Sequence, residues 1–304
     1  MARKLKSRNN ISLQNCALCE SSTALRKSHI IPKFAFDWVK RTSATGYLRL
    51  GGNVNKREQD GFKERMLCDD CEQLFSTWET PTYKNVFSPI HQDEQPIEYS
   101  DWFYPFALSV SWRILFLYRE LGLECFPPHL LSRVDQSLDS WREELLNVKP
   151  ASSSYELHCF TVGPIEKSSV PNCPPSINRY FMRAIDTDVV CNSTNVFVYA
   201  KIARLVIVAC LQNSEPEHWV RTRIERTNSS LQSNFVVPGD IGEFLIHKAN
   251  EFHSLLDTMS KPQMEKLADA MMKDPNKTAN SDSFNAMMND VAHFGMDAFP
   301  DSAE

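Results

Sequence analysis

Two close pairs of cysteines constrain the fold of this 304-residue chain more than any other feature. Cys16 and Cys19 form one C-x2-C pair, Cys68 and Cys71 form the other, and 48 residues separate the pairs. A C-x2-C loop places two thiolates on one side of a tight turn, and two such loops complete the tetrahedral sulfur shell that zinc prefers. The sequence therefore predicts one structural zinc ion bound by these four cysteines.

Other roles for the cysteines are less favoured. The remaining five have no ligand spacing and are expected to be small buried hydrophobic residues: Cys125, Cys159, Cys173, Cys191 and Cys210. Disulfides are disfavoured because the start of the chain, Met1-Ala2-Arg3-Lys4-Leu5-Lys6, has no apolar stretch for export. The most apolar run, residues 196 to 211, is interrupted by Lys201 and Arg204. We therefore expect a soluble, cytoplasmic protein without membrane contact.

The charge is distributed unevenly along the chain. Residues 1 to 80 hold fourteen Lys and Arg against nine Asp and Glu, a net charge of +5, whereas the remainder carries −10. Only the cysteine-rich end is suited to bind polyanions, through residues that include Arg26, Lys27 and Lys33 and, near the start, Arg3, Lys4, Lys6 and Arg8. This favours nucleic acid as a partner of the N-terminal part, and a protein partner or small ligand for the acidic C-terminal part.

The pattern of the chain predicts three parts: a basic tail over residues 1–9, a zinc-binding module over 10–97 and a larger α+β domain over 98–304. The boundary is placed near residue 98 because residues 81 to 100 contain three prolines and mixed charges, as connections do. Within the module, residues 33 to 41 have an apolar helical face, and a helix begins at the second cysteine pair. Cysteine turn, insertion and ligand-bearing helix together predict a treble-clef topology.

The larger part shows both helical and strand periodicities. Helices are predicted over residues 102–121, 131–146, 241–259, 262–272 and 284–294. Strands rich in β-branched and aromatic residues are predicted over 156–162, 179–186, 196–211 and 218–223. The fold class predicted for the whole chain is α+β, with C-terminal helices.

A histidine segment, Ser28-His29-Ile30-Ile31-Pro32, lies between the cysteine pairs. With Cys16, Cys19 and Leu67-Cys68-x2-Cys71, it resembles the zinc-stabilised branch of HNH endonucleases over about residues 14 to 80. The resemblance implies a ββα-metal site in which His29 is the general base that activates water for attack on a phosphodiester. It also implies a catalytic metal, Mg²⁺ or Mn²⁺, and a setting common in prokaryotic restriction and anti-phage systems.

Three positions depart from the HNH pattern. Ser28 stands where an Asp or His metal ligand is usual, Lys63 stands at the signature Asn, and Glu72 replaces the His or Asn after the fourth cysteine. Glu72 remains a candidate ligand for Mg²⁺ or Mn²⁺, and Glu79 lies two helical turns further on the same face. The nearest asparagines in the insertion are Asn53 and Asn55.

Two functions from different classes therefore remain open. The first is a metal-dependent HNH-like endonuclease acting on DNA or RNA. The second is a non-catalytic zinc-binding treble-clef module that binds nucleic acid or a partner protein, in which His29 packs as an ordinary strand residue. The chain has no simple Asp/Glu-x-Lys nuclease motif, no phosphate-binding G-x4-G-K-[ST] loop and no G-x-S-x-G elbow, which disfavours the other nuclease, ATPase and serine hydrolase classes.

Overall fold

The computed structural model of the chain describes residues 13–49, 52–123, 126–148, 155–165, 172–192 and 194–299. The predicted basic tail, residues 1–9, and Cys125 lie outside these ranges. Helices and antiparallel strands alternate along the described residues, which confirms a mixed α+β chain. The treble-clef topology of the first part stays a prediction.

The N-terminal part consists of a two-stranded antiparallel sheet and two helices, the first of which lies between the strands in sequence. Strands β1 (Arg26–His29) and β2 (Lys63–Leu67) pair antiparallel, with Ser28 opposite Glu64 and His29 opposite Lys63. Helix α1 (Lys33–Arg41) follows β1 at Pro32 and buries Ala35, Phe36 and Trp38, as its apolar face predicts. Helix α2 (Asp69–Thr82) begins directly after Cys68, also as predicted.

Residues 81–100, predicted to connect the two parts, are helical over their first half. Although Pro81 lies inside α2, the helix widens into a π-helical turn (Tyr83–Phe87) and continues as α3 (Ser88–Ile90). Val86, Phe87 and Ile90 are buried on it. A short strand β3 (Ile97–Tyr99) then precedes the larger part.

The larger part is built around a four-stranded antiparallel sheet. The chain order is α4 (Phe103–Leu121), α5 (Pro128–Leu145), β4 (Glu156–Thr161), α6 (Ile177–Arg183), β5 (Ile185–Cys191), β6 (Val196–Ile202), β7 (Leu205–Gln212), β8 (Ser229–Leu231), α7 (Gly239–Asp257), α8 (Lys261–Met272), α9 (Pro275–Ala279) and α10 (Asp282–Phe294). The strands of the sheet lie in the order β4-β7-β6-β5, and β8 pairs separately with β3. The helices predicted at 102–121, 131–146, 241–259, 262–272 and 284–294 are confirmed as α4, α5, α7, α8 and α10.

Both faces of this sheet are buried. Along β6, Val196, Val198, Ala200 and Ile202 pack into a core shared with α4, whereas Phe197 and Tyr199 pack on the other side with α6 and α7. Alternate residues of a strand point to opposite faces, so a sheet covered on both sides needs apolar residues at every position. This explains the apolar run over residues 196–211, which only Lys201 and Arg204 interrupt.

Three strand predictions need correction. Residues 196–211 are not one strand but the hairpin β6–β7, which turns at Ala203 with a positive φ of 53° and no glycine. Most of the strand predicted over 179–186 is helix α6, and β5 begins only at Ile185. Residues 218–223 form a turn with isolated bridges. The three differences have separate causes: the turn at Ala203 has no glycine to mark it, the seven-residue α6 is too short to show a helical period, and residues 218–223 are mostly exposed and form only isolated bridges.

The two parts of the chain share one apolar core, which runs from Cys16 to Ile224. Three arginines of the larger part also donate to backbone carbonyls of the first: Arg113 to His29, Arg183 to Val39 and Arg204 to Ile90. The boundary predicted near residue 98 stays a prediction, but the packing across it is extensive. Within the described residues, no helix is long and apolar enough to cross a membrane.

A buried carboxylate fastens the C-terminal helices to this body. Asp290 of α10 is fully buried and accepts hydrogen bonds from the N–H groups of Asn178 (2.7 Å) and Arg179 (3.2 Å) and from Arg179 Nε (2.8 Å). It therefore caps the start of α6, where unpaired N–H groups and the helix dipole favour an anion.

We expect Asp290→Asn to lower the free energy of unfolding by about 2–4 kcal/mol, because it leaves the buried Arg179 contact without its counter-charge. Asp269→Asn, the same change at an exposed position of α8, is the control and should stay within about 0.5 kcal/mol of the parent chain. Denaturant unfolding measures both. Equal effects of the two changes would contradict the role assigned to Asp290.

Candidate functional site

Four cysteines that are distant in sequence converge in the N-terminal part. The sulfur atoms of Cys16, Cys19, Cys68 and Cys71 all lie within 4.8 Å of one another, and those of Cys19 and Cys68 are 3.6 Å apart. A tetrahedral zinc site with bonds of about 2.3 Å places its sulfur atoms about 3.8 Å apart. The thiols are free, and their separation is that of metal ligands rather than of a disulfide. The donor set fits a structural zinc ion.

The backbone around the sulfurs is arranged to support them. The first turn closes through Cys16 N–H to the Ser21 carbonyl (2.9 Å), with Glu20 in the left-handed region at a φ of 62°. The Cys68 N–H donates to the Cys16 sulfur (3.3 Å), which joins the two cysteine turns directly. Ala17 N–H donates to the Met66 carbonyl at the end of β2 (2.8 Å). The end of β2 therefore supports both ligand pairs.

The protonation of the thiols also points to a cation. Burial raises the pKa of the Cys16 thiol, and burial together with the thiols of Cys19 and Cys68 raises the pKa of Cys71. Burial acts in the same direction on Cys19, but hydrogen bonds from Ser21 and the neighbouring thiols outweigh it and lower its pKa to about 6. Crowded sulfurs cannot all be thiolates without a positive charge among them, and a bound metal supplies that charge.

His29 is the last residue of β1, and its ring is held on two sides. Nε2 lies 2.9 Å from Asp60 Oδ1, and the ring stacks on Phe36 with centroids 6.1 Å apart. The side chain is 14% exposed, so the ring is largely buried but reaches solvent. Gly61 allows this packing, because a Cβ there would come within 2.1 Å of the Phe36 ring.

The partner of His29, Asp60, was not identified from the sequence. Burial raises the pKa of Asp60, but hydrogen bonds from Lys63, His29 and the Gly61 N–H outweigh burial and hold the pKa well below its usual range. An ionised carboxylate only accepts hydrogen bonds, so Nε2 of His29 carries the proton in their contact. In the neutral imidazole, Nδ1 is then the unprotonated nitrogen, and it has no hydrogen-bond partner among the described residues. Nδ1 is therefore available to accept a proton.

The positions that depart from the HNH pattern have distinct environments. Lys63 is paired with Asp60 across from His29. The hydroxyl of Ser28 and Oε1 of Glu72 are both buried without a hydrogen-bond partner. Glu79 is bound to Arg113 at 2.9 Å and is thus already neutralised.

The described residues contain no cluster of three or more His, Cys, Asp or Glu ligands apart from the four cysteines, so Glu72 and His29 do not join a third such ligand. Asn55 binds the Thr258 carbonyl and the Ser260 N–H at the start of α8. Its role in the structure is therefore to hold the insertion against the C-terminal helices.

The positive net charge of residues 1–80 depends largely on the segment before residue 13. Four of the fourteen basic residues in that range lie there, and residues 13–80 hold ten basic against nine acidic side chains. Several of those ten are already paired: Arg26 with Asp69, Lys33 and Lys40 with Asp37, Lys56 with Glu58, and Lys63 with Asp60. Lys27 is exposed and has no ion pair among the described residues.

Comparison of the chain with protein-family models, with curated proteins and with solved structures gives no match. The resemblance to HNH endonucleases thus depends on the motif residues alone, and the site has to be judged by its own geometry.

We expect the purified protein to contain about one zinc ion per chain, measured by elemental analysis. Cys68→Ser should lose the zinc and unfold the N-terminal part, because the ligands join two distant points of a small module. Cys173→Ser is the control, since Cys173 lies outside the cluster and should leave zinc content unchanged. Freshly prepared protein without zinc would contradict the assignment.

Proposed function

We propose that the N-terminal part is an HNH-like, metal-dependent endonuclease acting on DNA or RNA, with His29 as the general base. The single observation that carries the proposal is the His29–Asp60 contact. It places the proton of the neutral imidazole on Nε2 and leaves Nδ1 as the accepting nitrogen, on a ring that still reaches solvent. A base oriented by a carboxylate in this way is a recurring device for proton abstraction.

The chemical step assigned to this residue is the activation of water. His29 Nδ1 accepts a proton from a water molecule as its oxygen attacks the phosphorus of a phosphodiester, and the bond to the leaving oxygen breaks. Asp60 keeps the imidazole in the required tautomer and stabilises the imidazolium that forms. Lys63, on the strand position opposite His29, places a positive charge beside the dyad.

A divalent ion, Mg²⁺ or Mn²⁺, fits the residues in part. Glu72 presents a buried carboxylate oxygen without a hydrogen-bond partner, and buried carboxylate oxygens normally have one. Mg²⁺ is commonly held by one or two carboxylates together with water and substrate phosphate oxygens, so it does not require a complete protein shell. When bound, the ion would stabilise the charge on the leaving oxygen.

We place this activity in the cytoplasm of a prokaryotic cell, within a restriction or anti-phage system, on the strength of the motif resemblance. In this proposal the acidic C-terminal part binds a protein partner or a small ligand. The shared core provides a route by which such binding would reach the first part.

The second candidate function is a non-catalytic zinc module that binds nucleic acid or a partner protein. It is favoured by the described ligand set, because Glu79 is occupied by Arg113 and no three-ligand cluster lies beside the cysteines. Ser28, a weak ligand for a hard cation, stands at a position where the HNH pattern carries a strong one.

A plasmid-cleavage assay with added Mg²⁺ or Mn²⁺ tests the endonuclease. We expect His29→Ala to reduce the rate by about 10²- to 10⁴-fold, the usual contribution of a general base. Asp60→Asn should also reduce the rate, because the amide no longer fixes the tautomer. His247→Ala, at a largely exposed histidine of α7, is the matched control and should cleave like the parent chain. Cleavage by His29→Ala at the parental rate would overturn the proposal.

Nucleic-acid binding is measured separately, as affinity against salt concentration. We expect removal of residues 1–9 to flatten the salt dependence, and Lys27→Ala to reduce the logarithmic slope by about 0.9 if Lys27 contacts one phosphate of a duplex. Arg26→Ala should have a smaller effect, because Arg26 must first leave Asp69. An unchanged slope after all three changes would show that the basic excess is an ordinary solvated surface.

A further inference from the structure

Helix α4 is apolar and buried along most of its length, and it carries one buried charge. Arg113 is 3% exposed, and the helix has no other charged residue before Arg119. Burying a guanidinium costs several kcal/mol unless all its donors are satisfied. An apolar side chain at this position would carry no such desolvation cost. The role of Arg113 is therefore to be sought in the contacts that its guanidinium makes.

Two of the three hydrogen bonds of Arg113 reach residues of the N-terminal part, and the third stays within α4. Nη1 donates to the His29 carbonyl (2.9 Å), Nη2 pairs with Glu79 Oε1 (2.9 Å), and Nε donates to the Ser109 carbonyl (3.2 Å). The guanidinium also lies over the Phe75 ring, 5.1 Å from its centroid. One side chain of α4 thus joins the end of β1 to helix α2.

The backbone of His29 requires a donor at this point. The Ile30 N–H bonds to the Phe62 carbonyl (3.3 Å), so the alternation of an antiparallel ladder turns the His29 carbonyl away from β2. Arg113 supplies the donor that the ladder does not. Asp60 holds the ring of His29 from one side, and Arg113 holds its peptide from the other.

We propose that Arg113 is a positioning residue for His29: its bond to the His29 carbonyl sets where the imidazole stands relative to Asp60. The inference rests on the proposed function, in which His29 is the base. In addition, the position of the base depends on a helix from outside the cysteine-rich part. The packing of α4 against the N-terminal part therefore determines whether His29 is aligned with Asp60.

The test uses the full chain and two readouts. The first is the ¹⁵N chemical shifts of the His29 ring, assigned by their loss in His29→Ala, which report whether one Nε2–H tautomer is held. The second is plasmid cleavage with Mg²⁺ or Mn²⁺, where a misplaced base costs up to about 10²-fold. Arg113→Met should broaden or average the His29 signals and reduce cleavage about 10- to 100-fold at unchanged zinc content.

Two further variants separate positioning from stability. Arg119→Met makes the same change on the same helix at an exposed pair with Asp135 and should alter neither readout. Glu79→Gln removes the ion pair but leaves the donor to the His29 carbonyl, so it should retain the single tautomer even if it lowers stability.

The outcomes are distinct. A fixed tautomer and parental cleavage in Arg113→Met would overturn the proposal, as would loss of the tautomer in Glu79→Gln, which would assign the effect to packing of α2. Should Arg113→Met fail to fold, loss of the tautomer in Glu79→Gln would still overturn the proposal, because that variant keeps the donor to the His29 carbonyl. If the parent chain does not cleave at all, the proposed function fails, whereas the ¹⁵N readout still determines whether Arg113 positions His29.

Discussion

The convergence of four cysteine sulfurs is the constraint on which the N-terminal part depends. It joins a turn before β1 to the first turn of α2, and the paired strands β1 and β2 lie between them in sequence. Burial raises the pKa of the Cys16 and Cys71 thiols, whereas hydrogen bonds outweigh burial at Cys19 and lower its pKa to about 6. A bound cation would favour the thiolate at all of these positions. A metal there fixes the Arg26–Leu67 end of the paired strands, and His29 lies at their other end, opposite Lys63.

The larger part of the chain completes this arrangement. Its arginines reach backbone carbonyls at the end of β1, in α1 and at the end of α3, through Arg113, Arg183 and Arg204 respectively. Each carbonyl lies where a strand or helix leaves acceptors unpaired, and a buried guanidinium can satisfy several at once. The two parts are therefore joined by directional bonds as well as by a common apolar core.

The contacts of His29 in the structure indicate more about its chemistry than the sequence motif does. A histidine in a strand is usually a packed residue, and its stacking on Phe36 fits that role. The contact with Asp60 is different, because it selects a tautomer and leaves Nδ1 with no described partner. Sequence patterns could not supply Asp60, which lies 31 residues away in an insertion with no recognisable ligand spacing.

The sequence by itself identified the four cysteines that converge as possible metal ligands, the helices α1, α2, α4, α5 and α7, and the mixed fold class, because each depends on spacing or period within a short stretch. It misjudged residues 179–186 and 196–211, since a seven-residue helix is too short to show its period and the turn at Ala203 has no glycine to mark it. Only the tertiary structure decided the partners of His29: Asp60 comes from the insertion and Arg113 from a helix 84 residues away. Such contacts depend on how distant segments pack in three dimensions, and a local sequence pattern does not predict them.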